Sequence, residues 1–228
     1  MHVAIVGLGP SAAEFLDVAK RCGGISAYCD EVWGINSIGD CFPCTKVFHM
    51  DDLKIQETRA VNNKAMAACL KWMRTYPNPI ITSRAYPDYP SSVEFPLEDV
   101  VNSLGYGYFN STSAYAAAYA IWAGAKKISC FGLDFTYPNI HHAEKGRACL
   151  EYWLGYAAAK GIELAFPRET SLMDACEQKL YGYDTRDVHT EVIDGRVKVT
   201  YTEAEHIPTA SEMEARYDHS KHPNPLVT

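Results

Sequence analysis

The fold is decided by residues 2–17, "HVAIVGLGPSAAEFLD", in which an apolar run leads through a glycine turn into a helical pattern. Residues 2–7 predict a strand, and Pro10 stands where the first residue of a helix is expected. The turn between them, residues 7–12, fits the loose form G-x-G-x-x-A of the dinucleotide fingerprint. Its glycines allow a tight turn and let a phosphate approach the N-terminus of the helix. The stretch therefore predicts a strand, a turn and a helix that together bind a phosphate or a nucleotide.

Strand and helix patterns alternate along the rest of the chain. Strands are predicted at residues 31–36, 45–50, 78–84 and 162–166, and another ends at residues 132–134; helices are predicted near residues 56–74, 97–105, 111–124, 141–161 and 170–182. Such alternation is typical of a parallel sheet covered by helices. Residues 85–96, which are rich in proline and tyrosine, are interpreted as a loop that shapes a ligand pocket.

The pattern changes after about residue 183. Residues 189–201 alternate around an Asp194-Gly195 turn and predict a β-hairpin, and the residues that follow are polar. We therefore predict an α/β fold with a doubly wound, Rossmann-like, mostly parallel sheet and a small C-terminal appendage of hairpin and tail. The predicted domains are a nucleotide-binding domain at 1–183 and the appendage at 184–228.

The composition limits the classes of function. The chain has 228 residues and a formal net charge of −7, and its 21 lysines and arginines are scattered. That distribution predicts no clustered basic patch of the kind that binds nucleic acid non-specifically. No segment approaches the roughly 18 apolar residues of a membrane span, and no basic leader precedes the first strand. We therefore expect a cytoplasmic protein with no membrane partner, whose eight cysteines are reduced thiols.

Cys41 and Cys44 have a spacing that suits both redox sites and zinc sites. A redox pair is expected at a helix N-terminus, whereas Pro43 and a following strand pattern surround this pair. His49 would complete only three zinc ligands. We therefore interpret these cysteines as structural or incidental and predict no metal site from them.

Polar residues at the carboxyl edge of the predicted sheet form the candidate nucleotide site. Ligands bind at this edge in doubly wound folds. The hydroxyls of residues 111–113 open a helix, where they either bind an anion or simply cap the helix. The residues predicted to bind the nucleotide are Gly7, Gly9, Pro10, Ser11, Asn36, Ser37, Ser111, Thr112, Ser113, Gly132 and Asp134.

A specific dinucleotide site is disfavoured. A dehydrogenase carries an acid at the end of its second strand, where the acid bonds the ribose. Asp30 has the right distance from the glycines, but it precedes the second strand, which ends at Asn36. The second half of the chain also lacks a recognisable nicotinamide site. The glycine turn is therefore interpreted as part of a single-nucleotide pocket.

Two adjacent histidines, His141 and His142, begin a helix at the same edge of the sheet. A histidine here suits a general base toward a hydroxyl, because its unperturbed pKa is about 6.5. The alternative is that both are solvated residues of a helix N-terminus. The residues alone leave these two interpretations open.

Five segments follow one another along residues 3–175: "IVGLGPS", "EVWGIN", "NSTSAYAAAYAIWAGAKKISCFGLDF", "CLEYWLGYAAAKGIELAF" and "PRETSL". In this order they resemble the bacterial sialyltransferases of glycosyltransferase family 42. They are also similar to motility accessory factors and archaeal pterin diphosphokinases. The resemblance implies that Asn36, Ser111 and Thr112 bind a nucleotide sugar. It further implies that His142, with His141 as the close alternative, deprotonates the acceptor hydroxyl.

Three positions depart from the sialyltransferase pattern. Leu8 stands where those enzymes carry asparagine, Phe109 where they carry arginine, and Thr136 where they carry tyrosine, with Tyr137 next to it. The implied chemistry is displacement at an anomeric carbon, in which a tyrosine hydroxyl such as that of Tyr137 helps to stabilise the leaving phosphate. The implied donor is a CMP- or UDP-linked sugar. Because these three positions differ from the sialyltransferase pattern, the resemblance does not specify which sugar is transferred.

Two other functions stay open at this point. A pterin-type diphosphokinase would need Mg²⁺ held by acids such as Asp51, Asp52 or Asp134, although Asp51 and Asp52 are favoured as helix caps. A non-catalytic nucleotide-binding module would keep the fold without the chemistry. For the transferase, the expected partners are a nucleotide sugar and an acceptor such as a soluble glycan or a modified nucleic-acid base. A homo-oligomer is compatible with the sequence.

Overall fold

The computed structural model of the chain describes residues 1–136, 140–168, 170–174, 186–193, 196–203, 209 and 211–212. By its internal contacts the chain divides into two compact units, Met1–Ala175 and Cys176–Thr228. The predicted division into domains at residue 183 stays a prediction.

The first unit alternates strands and helices. Its strands are β1 (His2–Val6), β2 (Glu31–Ile35), β3 (Lys46–Phe48), β4 (Ile80–Thr82), β5 (Ser92–Glu94), β6 (Lys127–Phe131) and β7 (Glu163–Ala165). Its helices are α1 (Ala12–Arg21), α2 (Ile25–Tyr28), α3 (Leu53–Ala60), α4 (Lys64–Met73), α5 (Leu97–Leu104), α6 (Thr112–Trp122) and α7 (Ile140–Ala159). Short 3₁₀ turns occupy Asn36–Asp40 and Leu172–Asp174. The second unit contains β8 (Arg186–Ile193) and β9 (Arg196–Glu203).

Strands β1 to β7 form one sheet in the order β5-β4-β3-β2-β1-β6-β7, and every neighbouring pair is parallel. The chain winds outward from β1 to β5 and then returns to the other side of β1 for β6 and β7. The predicted α/β class with a doubly wound parallel sheet is therefore confirmed. The winding direction switches between β1 and β6, and ligands of such folds bind outside the carboxyl ends of the strands at that point.

Alternate residues of the strands belong to two hydrophobic cores. Val3 and Ile5 of β1 share a core with α5, α6 and α7, whereas Ala4 and Val6 share the other core with α1, α3 and α4. Because both faces of the sheet are covered, the strands are apolar runs rather than alternating ones. Five alanines of α6 are fully buried, which lets this helix lie close to the sheet, where it packs on β1, β2 and β3.

Residues 85–96, predicted as a loop, contain a strand. Ser92–Glu94 forms β5 at the outer edge of the sheet, where Ile81 of β4 pairs with Val93. Val93 is exposed, so the strand carries no buried apolar alternation that a sequence pattern would reveal. The loop prediction was therefore wrong at these three residues, because pairing with β4 decides their structure.

The helix predicted over residues 56–74 is two helices, α3 and α4. The side chain of Asn63 caps α4 by accepting the backbone N–H of Met66 at 3.0 Å. The apolar spacing of residues 56–74 suited one helix, but the cap at Asn63 starts a second helix within it. Of the helix predicted over residues 170–182, only residues 170–174 are described; they contain a 3₁₀ turn at Leu172–Asp174, in which Met173 has a left-handed φ of 56°.

Strands β8 and β9 of the second unit pair antiparallel, which confirms the predicted C-terminal hairpin. The predicted turn at Asp194 and Gly195 lies outside the described residues. Within the part of the chain that the structure describes, no helix combines the length and the apolar character that crossing a bilayer requires. The cytoplasmic location stays a prediction.

Candidate functional site

A cavity of about 400 Å³ opens at the switch point between β1 and β6. There the residues that follow β1, β2, β3 and β6 meet the N-terminal turns of α6 and α7. The cavity is lined by Gly7, Leu8, Gly9, Pro10, Ile35, Asn36, Asp51, Asn110, Ser111, Thr112, Ser113, Gly132, Leu133, Phe135, Thr136, His142 and Gly146. Its volume falls within the range of small-molecule sites.

The cavity brings together most of the residues that the sequence predicted for the nucleotide. Ser11, Ser37 and Asp134 are the exceptions, since they are not among its lining residues. Of the two histidines, His142 lines the cavity. His141 lies outside it with a side chain that is 72% exposed, and its Nδ1 is 3.8 Å from a carboxylate oxygen of Glu144. The third predicted catalytic residue, Tyr137, lies outside the described residues.

The glycine turn after β1 is closed by hydrogen bonds within the protein. The backbone N–H and the hydroxyl of Ser11 donate to the two carboxylate oxygens of Asp134 at 2.9 and 2.6 Å. The N–H of Gly132 donates to Ser11 Oγ at 2.8 Å. The N–H of Gly9 donates to the Gly132 carbonyl at 2.8 Å, and that of Ala12 to the Gly9 carbonyl at 3.0 Å. These donors, of the kind that holds a phosphate in a dinucleotide site, are therefore already engaged, and a carboxylate already lies at the N-terminus of α1.

The glycines of this turn also provide for close packing. A Cβ on Gly7 would lie 2.5 Å from the carbonyl oxygen of Gly132, and a Cβ on Gly9 would lie 2.5 Å from a carboxylate oxygen of Asp134. Gly132 has a φ of 64°, and a Cβ there would collide with the Gly7 carbonyl oxygen. The glycines that fit the fingerprint thus let the turns after β1 and β6 contact each other.

The N-terminal turn of α6 opens onto the cavity instead. Ser111 is the N-cap residue, and its Oγ accepts the N–H of Ala114 at 3.3 Å, so this hydroxyl does cap the helix. Its Oγ also lies 3.0 Å from the hydroxyl of the buried Ser113. Thr112 lines the cavity beside them. Because the positive end of the helix dipole lies at this turn, it is the part of the cavity that best suits a phosphate.

Two residues of the cavity wall have a left-handed backbone although neither is glycine. Asn36, directly after β2, has a φ of 56°, and Phe135, in the turn after β6, has a φ of 52°. Such conformations cost about 1–3 kcal/mol and cluster at functional sites. The Oδ1 atom of Asn36 is buried and has no hydrogen-bond partner among the described residues. A buried, unpaired acceptor in a cavity wall suits a ligand that donates a hydrogen bond.

Helix α7 closes the cavity at Gly146. A Cβ on Gly146 would lie 2.7 Å from the ring of Phe135 and 3.4 Å from the Cβ of Ser111. This close approach holds the start of α7, which carries His142, against the turn of α6. The wall residues Asn110, Phe135 and Gly146 were not among the residues predicted to bind the nucleotide. An isolated glycine within a helical pattern was the available signal for the close packing.

Asp51 is the acid of the cavity. It follows β3, it is exposed, and it forms no hydrogen bond or ion pair within the described part of the chain. Its neighbour Asp52 caps α3 by accepting the N–H of Lys54 at 2.8 Å, and it pairs with Arg84 at 2.8 Å. Among the described lining residues, Asp51 is the only carboxylate, and lysine and arginine are absent. Capping, predicted for both acids, is therefore observed for Asp52 alone.

His49 and the cysteine pair lie outside the cavity lining. His49 is buried, its Nε2 is 2.9 Å from Gln56 Oε1, and burial lowers its pKa. Cys41 is exposed, whereas Cys44 is buried, and burial raises the pKa of the Cys44 thiol to about 12. A thiol with so high a pKa is a poor nucleophile at neutral pH. Among the described residues, no three His, Cys, Asp or Glu side chains are grouped to hold a metal ion.

Asp30 is placed at the wrong end of its strand for a dinucleotide site. It directly precedes β2 and accepts the backbone N–H of His2 at 2.6 Å. The cavity lies at the opposite, carboxyl edge of the sheet. A ribose in the cavity is therefore out of reach of Asp30, in contrast to the arrangement of a dehydrogenase.

No protein-family model and no curated protein sequence matches the chain. Among solved structures, the chain matches sialyltransferases at low sequence identity. The sialyltransferase CstII from Campylobacter jejuni, in complex with CMP-3FNeuAc, has 19% identity and a TM-score of 0.46, with 75% of this chain and 82% of that chain covered. A point mutant of the α-2,3/8-sialyltransferase CstII has 16% identity and a TM-score of 0.46, with 95% and 100% covered. Similarity at this level concerns the fold alone.

Proposed function

We propose that the protein is a glycosyltransferase that moves a sugar from a nucleotide sugar to an acceptor hydroxyl. One observation carries the proposal: a single cavity at the switch point is lined both by the N-terminal turn of α6 and by His142. The helix turn suits a phosphate, and the histidine suits a proton acceptor. The sequence resemblance to sialyltransferases supports the same division of roles.

In the proposed reaction, the acceptor hydroxyl gives its proton to His142 while its oxygen attacks the anomeric carbon of the sugar. The bond between that carbon and the phosphate oxygen breaks, and its electron pair leaves with the nucleotide. The turn that carries Ser111 and Thr112 stabilises the negative charge on the leaving phosphate. Asn36 accepts a hydrogen bond from the donor through its buried Oδ1. Tyr137 keeps its predicted role at the phosphate.

The base assignment is tested with His142→Ala and with His141→Ala as the matched control. The donor is first selected by thermal shift against CMP-, UDP-, GDP- and dTDP-linked sugars, NAD(P) and ATP, since a bound ligand stabilises the folded protein. Nucleotide release from that donor is then measured. We expect His142→Ala to lower kcat by about 10²–10⁴-fold, the usual contribution of a general base, and His141→Ala to keep the wild-type rate. Unchanged rates in both variants would contradict the assignment.

The acids named for a pterin-type diphosphokinase are mostly engaged elsewhere. Asp134 bonds Ser11, and Asp52 caps α3 and pairs with Arg84, so Asp51 is the one that lines the cavity. Sensitivity to EDTA distinguishes a diphosphokinase from a glycosyltransferase. Turnover of ATP that is lost in EDTA and restored by Mg²⁺ would favour the diphosphokinase, and sugar transfer that persists in EDTA would favour the glycosyltransferase. A non-catalytic module would bind a nucleotide and release no product, and a preference for NAD would overturn the proposal.

A further inference from the structure

The charges of the cavity wall limit the kind of sugar that fits. Asp51 forms no hydrogen bond or ion pair within the described residues, and no lysine or arginine among the described lining residues balances a second negative charge. The Oδ1 atom of Asn36 adds a buried acceptor that has no hydrogen-bond partner among the described residues. Carboxylate and amide oxygens accept hydrogen bonds, so this wall calls for a ligand that donates them.

Both acceptors follow neighbouring strands of the sheet and line the same cavity. Asn36 directly follows β2, and Asp51 lies three residues after the end of β3, the next strand in the sheet. Neighbouring strands are about 4.8 Å apart. The phosphates of a nucleotide sugar are themselves anionic and are repelled by Asp51, so they belong at the N-terminal turn of α6. The polar wall formed by Asn36 and Asp51 then receives a part of the ligand that bears no negative charge.

We infer that the donor sugar carries hydroxyl or amino groups and no carboxylate, with Asp51 as the residue that selects it. This inference rests on the proposed glycosyltransferase function. Hydroxyl or amino groups of the sugar donate to Asp51 and Asn36. A sugar carboxylate would instead meet the Asp51 charge inside a cavity of about 400 Å³. Charges in solution act on each other over about 8 Å at physiological ionic strength, so the repulsion reaches across much of such a cavity.

The test uses pairs of donors that differ only at C6 of the sugar, where a carboxylate replaces the hydroxymethyl group: UDP-glucose with UDP-glucuronic acid, and GDP-mannose with GDP-mannuronic acid. CMP-sialic acid is the third probe, and isothermal titration calorimetry gives each Kd. We expect the uncharged member of a pair to bind about tenfold more tightly or better, because like charges in contact oppose binding strongly. Asp51→Asn should bring the ratio of the two Kd values close to one. Asp17→Asn removes the same charge from an exposed position of α1 outside the cavity lining and should keep the wild-type ratio.

The outcomes separate the inference from the function on which it rests. Equal Kd values within a pair, or CMP-sialic acid as the tightest ligand, would overturn the inference and leave the glycosyltransferase proposal standing. If the ratio of the two Kd values within a pair stayed at the wild-type value in Asp51→Asn, the role of Asp51 in selecting the sugar would be overturned. Failure of every nucleotide sugar to bind would remove the proposed function, and the inference with it.

Discussion

Two helices begin at the same edge of the sheet, and their N-termini have different surroundings. Helix α1 follows the glycine fingerprint, but the carboxylate of Asp134 already accepts the N–H of Ser11 at 2.9 Å. Helix α6 follows a serine turn without any fingerprint, and Ser111 and Thr112 line the cavity. A glycine motif therefore shows where the backbone turns tightly. Whether the turn has donors left for a ligand depends on a partner 123 residues away.

The largest expected effect comes from filling the contact between the turns after β1 and β6. Gly132 and Gly105 both have a left-handed φ, of 64° and 79°, but a Cβ on Gly132 would collide with the Gly7 carbonyl, whereas a Cβ on Gly105 meets nothing within 4 Å. Gly105→Ala should lower the free energy of unfolding by about 1 kcal/mol through backbone strain. Gly132→Ala should lower it by about 3 kcal/mol or more, since backbone must move. Urea unfolding measures both, and equal losses would show that the contact is not tight.

Most strands of the sheet could be predicted from the sequence, because parallel strands that are buried on both faces are continuous apolar runs. Strand β5 was not predicted, because its three residues are exposed or half-exposed and only their pairing with β4 makes them a strand. The candidate site was predictable as an edge of the sheet, where Asn36 and the serine turn meet. The hydrogen bonds between Ser11 and Asp134 were not predictable, because no local pattern specifies a pairing between residues so far apart in the chain.

Ser11→Ala tests whether the α1 turn is structural. The substitution leaves a carboxylate oxygen of the buried Asp134 and the N–H of Gly132 without their partner. We expect the free energy of unfolding to fall by about 2 kcal/mol, the cost of unpaired buried groups. The nucleotide Kd of the folded protein should stay near the wild-type value. Ser103→Ala, at an exposed position of α5, is the control and should leave both quantities unchanged.

Gly146→Ala tests the wall that α7 forms against the α6 turn. Its Cβ would lie 2.7 Å from the Phe135 ring, so the ring and the turn around His142 must shift. The gain of about 1 kcal/mol in helix propensity offsets part of the strain, so we expect a small change in Tm and a clear loss in kcat. Gly155→Ala, in the same helix but with nothing within 4 Å, should raise Tm and keep kcat. Loss of kcat in both variants would point to α7 as a whole rather than to its contact with Phe135.

The smallest expected effect belongs to Thr112→Val, which removes one hydroxyl at the open turn and keeps the shape of the side chain. Thr112 is half-buried in the cavity wall. We expect the nucleotide Kd to rise about five- to tenfold, the worth of one hydrogen bond, with stability within about 0.5 kcal/mol of wild type. Isothermal titration calorimetry measures the nucleotide Kd of both Thr112→Val and Ser11→Ala, and the comparison shows which of the two helix N-termini binds the phosphate. If Ser11→Ala weakened nucleotide binding and Thr112→Val did not, the phosphate would belong at the glycine turn, and Asp134 would have to leave the N-terminus of α1 to admit it.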